Sequence, residues 1–211
     1  MAKPEPKWRR RKEARPGDIV AAALQVFSEK GFAGARIEEI AKRAGVSKGT
    51  LYLYFETKEE MFRAVVREVV APNVETVRAV FEAADMPFGD LLRMFLARFA
   101  EIVTTVPVGA VAKMVVGESR NFPEIAKVWH DDVILKAVGL LAGLIERAQA
   151  KGEVRGGDPR THAFSIMGPM LIGVLWRETF TPVGGAALDL PAIARQHAET
   201  VLGGLLVERP S

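Results

Sequence analysis

The chain has 211 residues, 49 % of them apolar and 26 % charged, with no cysteine and a formal net charge of +3 at pH 7. That composition excludes a disordered or fibrous protein. The lack of cysteine excludes disulfides, thiolate metal sites and a cysteine nucleophile, and fits a reducing cytoplasm.

A chain of this length buries about 70 % of the surface its unfolded form exposes, so no covalent staple is needed. The N-terminus is basic but no apolar run follows it, so no secretory signal is expected. The longest uncharged stretch of the C-terminal half, Thr161 to Trp176, is shorter than the roughly 18 residues that span a bilayer, and it contains His162 and Pro169. The expectation is a soluble, cytoplasmic protein with no membrane partner. Charge is unevenly spread: residues 1–60 carry 13 Lys/Arg against 9 Asp/Glu, and residues 61–211 carry 16 against 17. Lys3, Lys7, Arg9, Arg10, Arg11, Lys12 and Arg15 form a basic arm before a near-neutral body. Such an arm is the footprint of a nucleic acid or an anionic surface, with a solvated tail as the alternative.

In chain order the residues predict helices and almost nothing else. No alternating run of useful length and no Asn-Gly or Asp-Gly hairpin turn occurs. Ile19, Ala22, Ala23, Val26 and Phe27 repeat at three-and-four spacing between Pro16 and Gly31, which predicts a helix over 17–30. Two shorter helices fit over 37–44 and 48–54. Thr57, with Glu60 three residues on, is a capping box for a longer helix. That helix carries Met61, Phe62, Val65, Val66, Val69 and Val70 toward Pro72, which either kinks or ends it. Pro87, Pro107, Pro123 and the loops 152–159 and 181–190 divide the rest into helices over 88–104, 107–119, 122–151, 159–180 and 190–207. The expected fold is all-α, a small unit of three short helices before a larger helical body.

Residues 37–52 satisfy the packing needs of a helix-turn-helix. Two helices that cross steeply need a small residue where they approach, and Ala41 supplies it. Their turn needs a residue that tolerates a left-handed backbone, and Gly45 supplies it. Ile37, Ile40, Ala44, Val46 and Leu51 fall on inward positions, and Ser47 has the hydroxyl to cap the second helix. Lys48, Thr50, Tyr52 and Tyr54 stand on its outward face, and Gly49 removes a side chain where a DNA backbone would approach. The free N–H groups of that helix start suit a phosphate, and a tyrosine offers its hydroxyl to phosphate and its ring to a thymine methyl. The alternative makes Tyr52, Tyr54 and Phe55 core aromatics, most readily Phe55.

The run from Gly31-Phe32 through Ile37-Glu38-Glu39-Ile40-Ala41-Lys42-Arg43-Ala44-Gly45-Val46-Ser47-Lys48-Gly49-Thr50-Leu51-Tyr52-Leu53-Tyr54-Phe55 to Lys58 resembles the signature of the TetR/AcrR family of regulators. The resemblance covers roughly residues 16–65. It implies about nine helices, a homodimer, a ligand-responsive C-terminal domain and a palindromic double-stranded DNA operator, usually under repression. It divides the chain into the arm at 1–15, a helix-turn-helix domain at 16–58 and an effector-binding and dimerisation domain at 59–211. By position, DNA contacts are implied for Ser47, Lys48, Gly49, Thr50, Tyr52, Leu53 and Tyr54, with Lys58 reaching a phosphate. Two positions depart from the pattern. Arg36 stands where the family usually has Thr or Ser, so it can meet a phosphate but cannot accept the cap bond. Leu53 replaces a polar residue between the tyrosines, which favours apolar or shape readout. The segment Trp8-Arg9-Arg10-Arg11-Lys12 is placed to follow phosphates or enter the minor groove.

For an effector pocket the resemblance points to the middle helices. Met94, Phe95, Phe99, Met114, Trp129, Val133, Phe164, Met167 and Trp176 are its apolar candidates, with Arg98, Glu118, His130 and Arg177 as polar anchors. The effector expected is a small apolar molecule, and Pro169 inside its helix suits a pocket wall or a hinge. The dimer interface is implied in the last two helices at Leu171, Leu175, Phe180, Ile193, His197, Val201 and Leu205, as a four-helix bundle. No cofactor and no enzyme activity are expected, since the sequence holds no Gly-rich phosphate loop and no Gly-x-Ser-x-Gly elbow. His130-Asp131-Asp132 is the one compact cluster with metal-ligand chemistry, and neighbours on a helix point about 100° apart. The alternatives are an effector-independent architectural DNA-binding protein and an enzyme or carrier domain with an incidental helical corner.

Overall fold

The computed structural model describes residues 16–207, so the basic arm expected at 1–15 lies outside the described residues. The elements are α1 (Pro16–Gly34), α2 (Ile37–Arg43), α3 (Lys48–Tyr52), α4 (Lys58–Val65), α5 (Ala71–Ala83), α6 (Phe88–Thr105), α7 (Val108–Glu118), α8 (Pro123–Trp129), α9 (Leu135–Ala150), α10 (Pro159–Thr179) and α11 (Leu190–Leu205). The one β-type pairing among the described residues is an isolated bridge between Val154 and Leu206. No single helix there is long and apolar enough to cross a membrane.

The chain runs past Pro72 without ending its helix. A π-turn at Val66–Val70 joins α4 to α5, and the Ala71 N–H reaches back to the Val66 carbonyl. Proline has no N–H to give, and its ring crowds the carbonyl four residues back; the wider turn accommodates both. The sequence left 73–86 unassigned, yet the rod continues through most of it, to Ala83. A second π-turn, His130–Ile134, joins α8 to α9 inside the helix expected over 122–151. Counted as continuous rods, the described helices number nine, in line with the all-α expectation.

Apolar packing forms two clusters, and they do not part at residue 58. The first gathers α1–α4, the Val66–Val70 turn, α7 and α8 around Ile19, Phe27, Phe32, Ile40, Leu51 and Phe62. The second gathers α5, α6, α9, α10 and α11 around Phe88, Leu92, Leu96, Leu141 and Met170. Thus α7 and α8 share their core with the N-terminal helices rather than with the rest of the body.

Phe32 is where the first cluster is tied. Its ring stacks on Phe27 at 5.6 Å and meets Phe62 and Phe122 edge-on at 6.0 and 5.0 Å. Offset and edge-to-face rings at such spacings add to simple area burial. The Glu118 carboxylate, at the end of α7, accepts the N–H groups of Phe32 and Ala33 at 2.9 and 2.7 Å. The chain can bend there because Gly31 takes φ 72°, and a Cβ on Gly31 would run into that carboxylate. Replacing Glu118 by Ala strands two backbone donors, so a loss of about 1–2 kcal/mol is expected in urea unfolding. Glu118→Gln keeps one acceptor oxygen and is expected to lose less; equal losses would mean that the carboxylate does not hold this junction.

Candidate nucleic-acid interface and ligand cavity

The corner between α2 and α3 is set by local chain chemistry. Gly45 adopts φ 71°, its N–H bonds to the Lys42 carbonyl at 3.2 Å, and the Val46 N–H bonds to Ala41 at 2.9 Å. This pair of bonds is the Schellman arrangement, and it absorbs the last carbonyls of α2. Ser47 then caps α3 by accepting the Thr50 N–H at 3.0 Å, and its hydroxyl lies 2.8 Å from that of Thr50. Leu51 and Phe55 are buried, so the chain cannot roll about this axis. Arg36 precedes α2 without a side-chain cap bond, as its chemistry requires.

α3 is only five residues long, shorter than the 48–54 expected, and its first turn is already capped by Ser47. The N-terminal phosphate site read from the sequence therefore has little helix behind it. The outer surface instead presents side chains. Tyr52 and Tyr54 are exposed, and Leu53 is 84 % exposed, the most exposed large apolar side chain among the described residues. Lys48 lies 5.8 Å from the Tyr52 ring centroid. A Cβ on Gly49 would meet only the Ser47 hydroxyl, at 3.8 Å, so the same turn has room for close approach.

Most cations of this unit are already engaged. Arg43 bridges Glu29 and Glu39, and Lys30 also pairs with Glu39, lashing α1 to α2. Lys48 pairs with Glu38. Hydrogen bonds from these cations hold the Glu29, Glu38 and Glu39 carboxyls below their ordinary range, while Glu38 pushes Lys48 up. The pairs are therefore complete above the ordinary carboxylate range and are lost only as pH falls through the lowered folded-state values beneath it. Lys58, expected at a phosphate, is placed differently. Its ammonium donates to the Phe32 and Ala35 carbonyls at 2.6 and 3.4 Å and lies 4.5 Å from the Phe32 ring centroid. A cation held by two carbonyls and an aromatic face stays there, so Lys58 braces the Phe32 junction.

A cavity of about 270 Å³ lies in the body. Of the residues expected in it, Phe95, Phe99, Trp129, Val133, Phe164 and Met167 line it. The others are elsewhere. Met114 is buried in the first core, and Met94 lies on an outer groove between α6 and α11. Trp176 is exposed, with its indole donating to the Ala186 carbonyl at 2.9 Å. Glu118 faces the Phe32 junction. His130 is exposed and turned to Asp131, which also takes Lys127, while Asp132 pairs with Arg67. Arg98 and Arg177 pair with Glu101 and Glu178. The walls that sequence reasoning missed, Val74, Val77, Val103, Ala112 and Val138 among them, look like core residues in the sequence. The cavity opens at the seam between the two cores. Val108, Ala112, Trp129 and Val133 come from the first, and Val77, Phe95, Val103 and Val174 from the second.

Of the residues expected at a dimer interface, Leu171 and Phe180 are exposed on α10 and its end, and Leu175 is half-buried. Ile193 and Val201 are partly buried against their own core, and Leu205 lies inside it. His197 donates to the Ile166 carbonyl at 2.8 Å within the chain. Phe164 and Ile172 are more than 60 % exposed, and with Leu171, Trp176 and Phe180 they leave an apolar stripe along α10.

Residues 19–65 match the family model for bacterial regulatory proteins of the tetR family. Residues 90–199, more than half of the chain, match the C-terminal domain of AefR-like transcriptional repressors. The HTH-type transcriptional repressor NicS of Pseudomonas putida is 29 % identical over 157 residues, which cover 71 % of this chain and 70 % of that protein. The structure of FadR from Bacillus subtilis in complex with stearoyl-CoA has a TM-score of 0.75 at 22 % identity, covering 90 % of this chain and 99 % of FadR. The SmeT–triclosan complex, whose protein is the repressor of a Stenotrophomonas maltophilia efflux pump, has a TM-score of 0.72 at 22 % identity over 92 % of both chains. These two structures share the fold.

The cap of α3 carries an expected outcome. Ser47→Ala removes the acceptor for the Thr50 N–H and should lower stability by about 1 kcal/mol, read as the urea midpoint. Ser47→Asp should restore it; a midpoint indifferent to all three residues would mean that packing alone holds α3.

Proposed function

Since this chain belongs to the TetR family of bacterial regulatory proteins, we propose that it represses transcription as a homodimer and lets go of its operator when an apolar effector fills the cavity between the two cores. The observation that carries this reading is the position of that cavity. One wall belongs to the core that contains the helix-turn-helix, and the other to the core that bears the exposed apolar stripe of α10. A molecule that wedges the seam alters how the reading helices sit relative to the dimer. It shifts the population only as far as it binds that arrangement better. Stearoyl-CoA and triclosan are the ligands named for the two structures of the same fold; triclosan and the acyl chain of stearoyl-CoA are apolar, as the proposed effector is, whereas the CoA part is charged.

The exposed apolar stripe Leu171, Ile172, Trp176 and Phe180, continued by Phe164 at the cavity mouth, is the kind of surface that marks an interface, and a two-fold partner would cover it. The dimer would then hold two copies of α3 at major-groove spacing. Lys48, Thr50, Tyr52, Leu53 and Tyr54 would face the bases and nearby phosphates, with Arg36 on the backbone. Leu53 cannot hydrogen-bond, so its part is contact with thymine methyls or sugars.

Footprinting of the DNA flanking its own gene tests the reading. A protected palindrome with half-sites about one helical turn apart is expected, lost on changing Tyr52 to Ala; protection of no discrete site, or protection unmoved by Tyr52→Ala, would defeat it.

Electrostatics gives two further outcomes. Glu38 now competes with DNA for Lys48. Glu38→Gln is expected to tighten operator binding about three- to ten-fold and to steepen the plot of log K against log salt by about one. An unchanged slope would keep Lys48 off the phosphates. Because Lys30, Arg43 and Lys48 are paired and Lys58 is turned inward, counterion release falls to Arg36, Lys42 and the arm. Removing residues 1–14 should weaken binding and flatten the slope, measured by fluorescence anisotropy; a slope that stays put would take the arm off the DNA.

A further inference from the structure

The wall chemistry of the cavity narrows its ligand. Among its lining residues there is no Asp, Glu, Lys, Arg or His, and no hydroxyl side chain. Asn73 and Trp129 are the only lining residues whose side chains carry a nitrogen or oxygen atom, and the cavity surface is almost wholly apolar. Asn73 spends its amide N–H on the Val69 carbonyl at 2.7 Å, which leaves its oxygen as an acceptor. The Trp129 indole N–H has no hydrogen-bond partner among the described residues, although the residue is 8 % exposed. An ionised group placed here would lose its water and gain no opposite charge, which is strongly unfavourable. A neutral group that both donates and accepts one hydrogen bond suits these two side chains.

Size narrows it further. A dry apolar cavity of about 150 Å³ accepts one benzene ring, so about 270 Å³ accommodates two fused or linked rings. Phe95, Phe99, Phe164 and Trp129 supply aromatic faces and edges around that space.

We infer that the cavity binds a neutral, two-ring aromatic molecule carrying a single hydroxyl-type group, and rejects carboxylates of the same skeleton. This rests on the reading of the cavity as the effector site, but it concerns binding alone and is tested without DNA.

Calorimetry of the full chain with naphthalene, 2-naphthol and 2-naphthoate decides it. The expected order is 2-naphthol tightest, naphthalene weaker, and 2-naphthoate weaker than 2-naphthol by about 100-fold or more. Ala112→Phe should abolish the binding by filling the cavity. Gly168→Leu, at a lining position where an added Cβ meets nothing within 4 Å, does the same from α10 and serves should the first variant fail to fold. Asn73→Leu should erase the preference for 2-naphthol over naphthalene. Equal or tighter binding of 2-naphthoate, no binding of any of the three, or binding that survives in a folded filled-cavity variant overturns the inference. Release of operator DNA by 2-naphthol is a separate readout. Binding in the expected order without release leaves this inference standing and counts against the effector reading, whereas release by a charged compound that fills the cavity does the reverse.

Discussion

The structure turns on one residue, Phe32. Its ring is gripped by Phe27, Phe62 and Phe122, its N–H by Glu118 and its carbonyl by Lys58. Those partners come from α1, α4, α7 and the turn before α8, so a single position ties the reading unit to the two body helices above it. The bend at Gly31 is what delivers Phe32 to that meeting point. A unit of four short helices has little core of its own. Borrowing Val111, Met114, Val115, Ile125 and Val128 from α7 and α8 gives it one, which is why the apolar clusters do not follow the domain boundary expected near residue 58.

What could be read from the sequence follows from how local each cause is. Ala41, Gly45, Val46 and Ser47 act within six residues of one another, and the bonds that the sequence implied are the bonds the structure makes. The outward placement of Tyr52, Leu53 and Tyr54 follows from the same local register. The body is different. Helical periodicity says which residues of α7 are buried but not which of two cores receives them, so Met114 looked like a pocket wall and is not one. Glu118 looked like an anchor for a ligand because a carboxylate among apolar residues invites one; its partners are backbone N–H groups 85 and 86 residues earlier, and no side-chain pattern marks those. Lys58 was legible as a cation at a helix start but not as one held by carbonyls and a ring.

The two π-turns show the same limit and explain the cavity. Each lets a long rod change its phase midway, so the residues after the turn face a different neighbour from those before it. Val66–Val70 begins in the first core, and beyond it Val77 belongs to the second. His130–Ile134 does the same for the rod of α8 and α9, and Arg67 and Asp132 pair across the two turns at 3.0 Å. Where both rods cross from one core to the other, neither core can fill the space completely, and the cavity is what remains: Val70, Val133 and Ile134 are on its wall.

A seam that opens by small amounts reaches DNA only if the unit on its far side is stiff. Stiffness here comes from many modest terms that act across different elements. Exposed ion pairs such as Lys30–Glu39 and Arg43–Glu29 contribute little apiece, but Arg43 and Glu39 each serve two partners, so α1 and α2 share one web. The Gly45 turn fixes α2 to α3 through backbone bonds, and Phe55 and Leu51 pin α3 to the core. With Lys58 fastening α4 to the same aromatic centre, a displacement of α7 by the proposed effector would carry α1 to α4 along together. On the proposed reading the cations that stiffen the unit would be withheld from the phosphates, and side-chain fit at α3 together with the basic arm would have to supply what those cations do not.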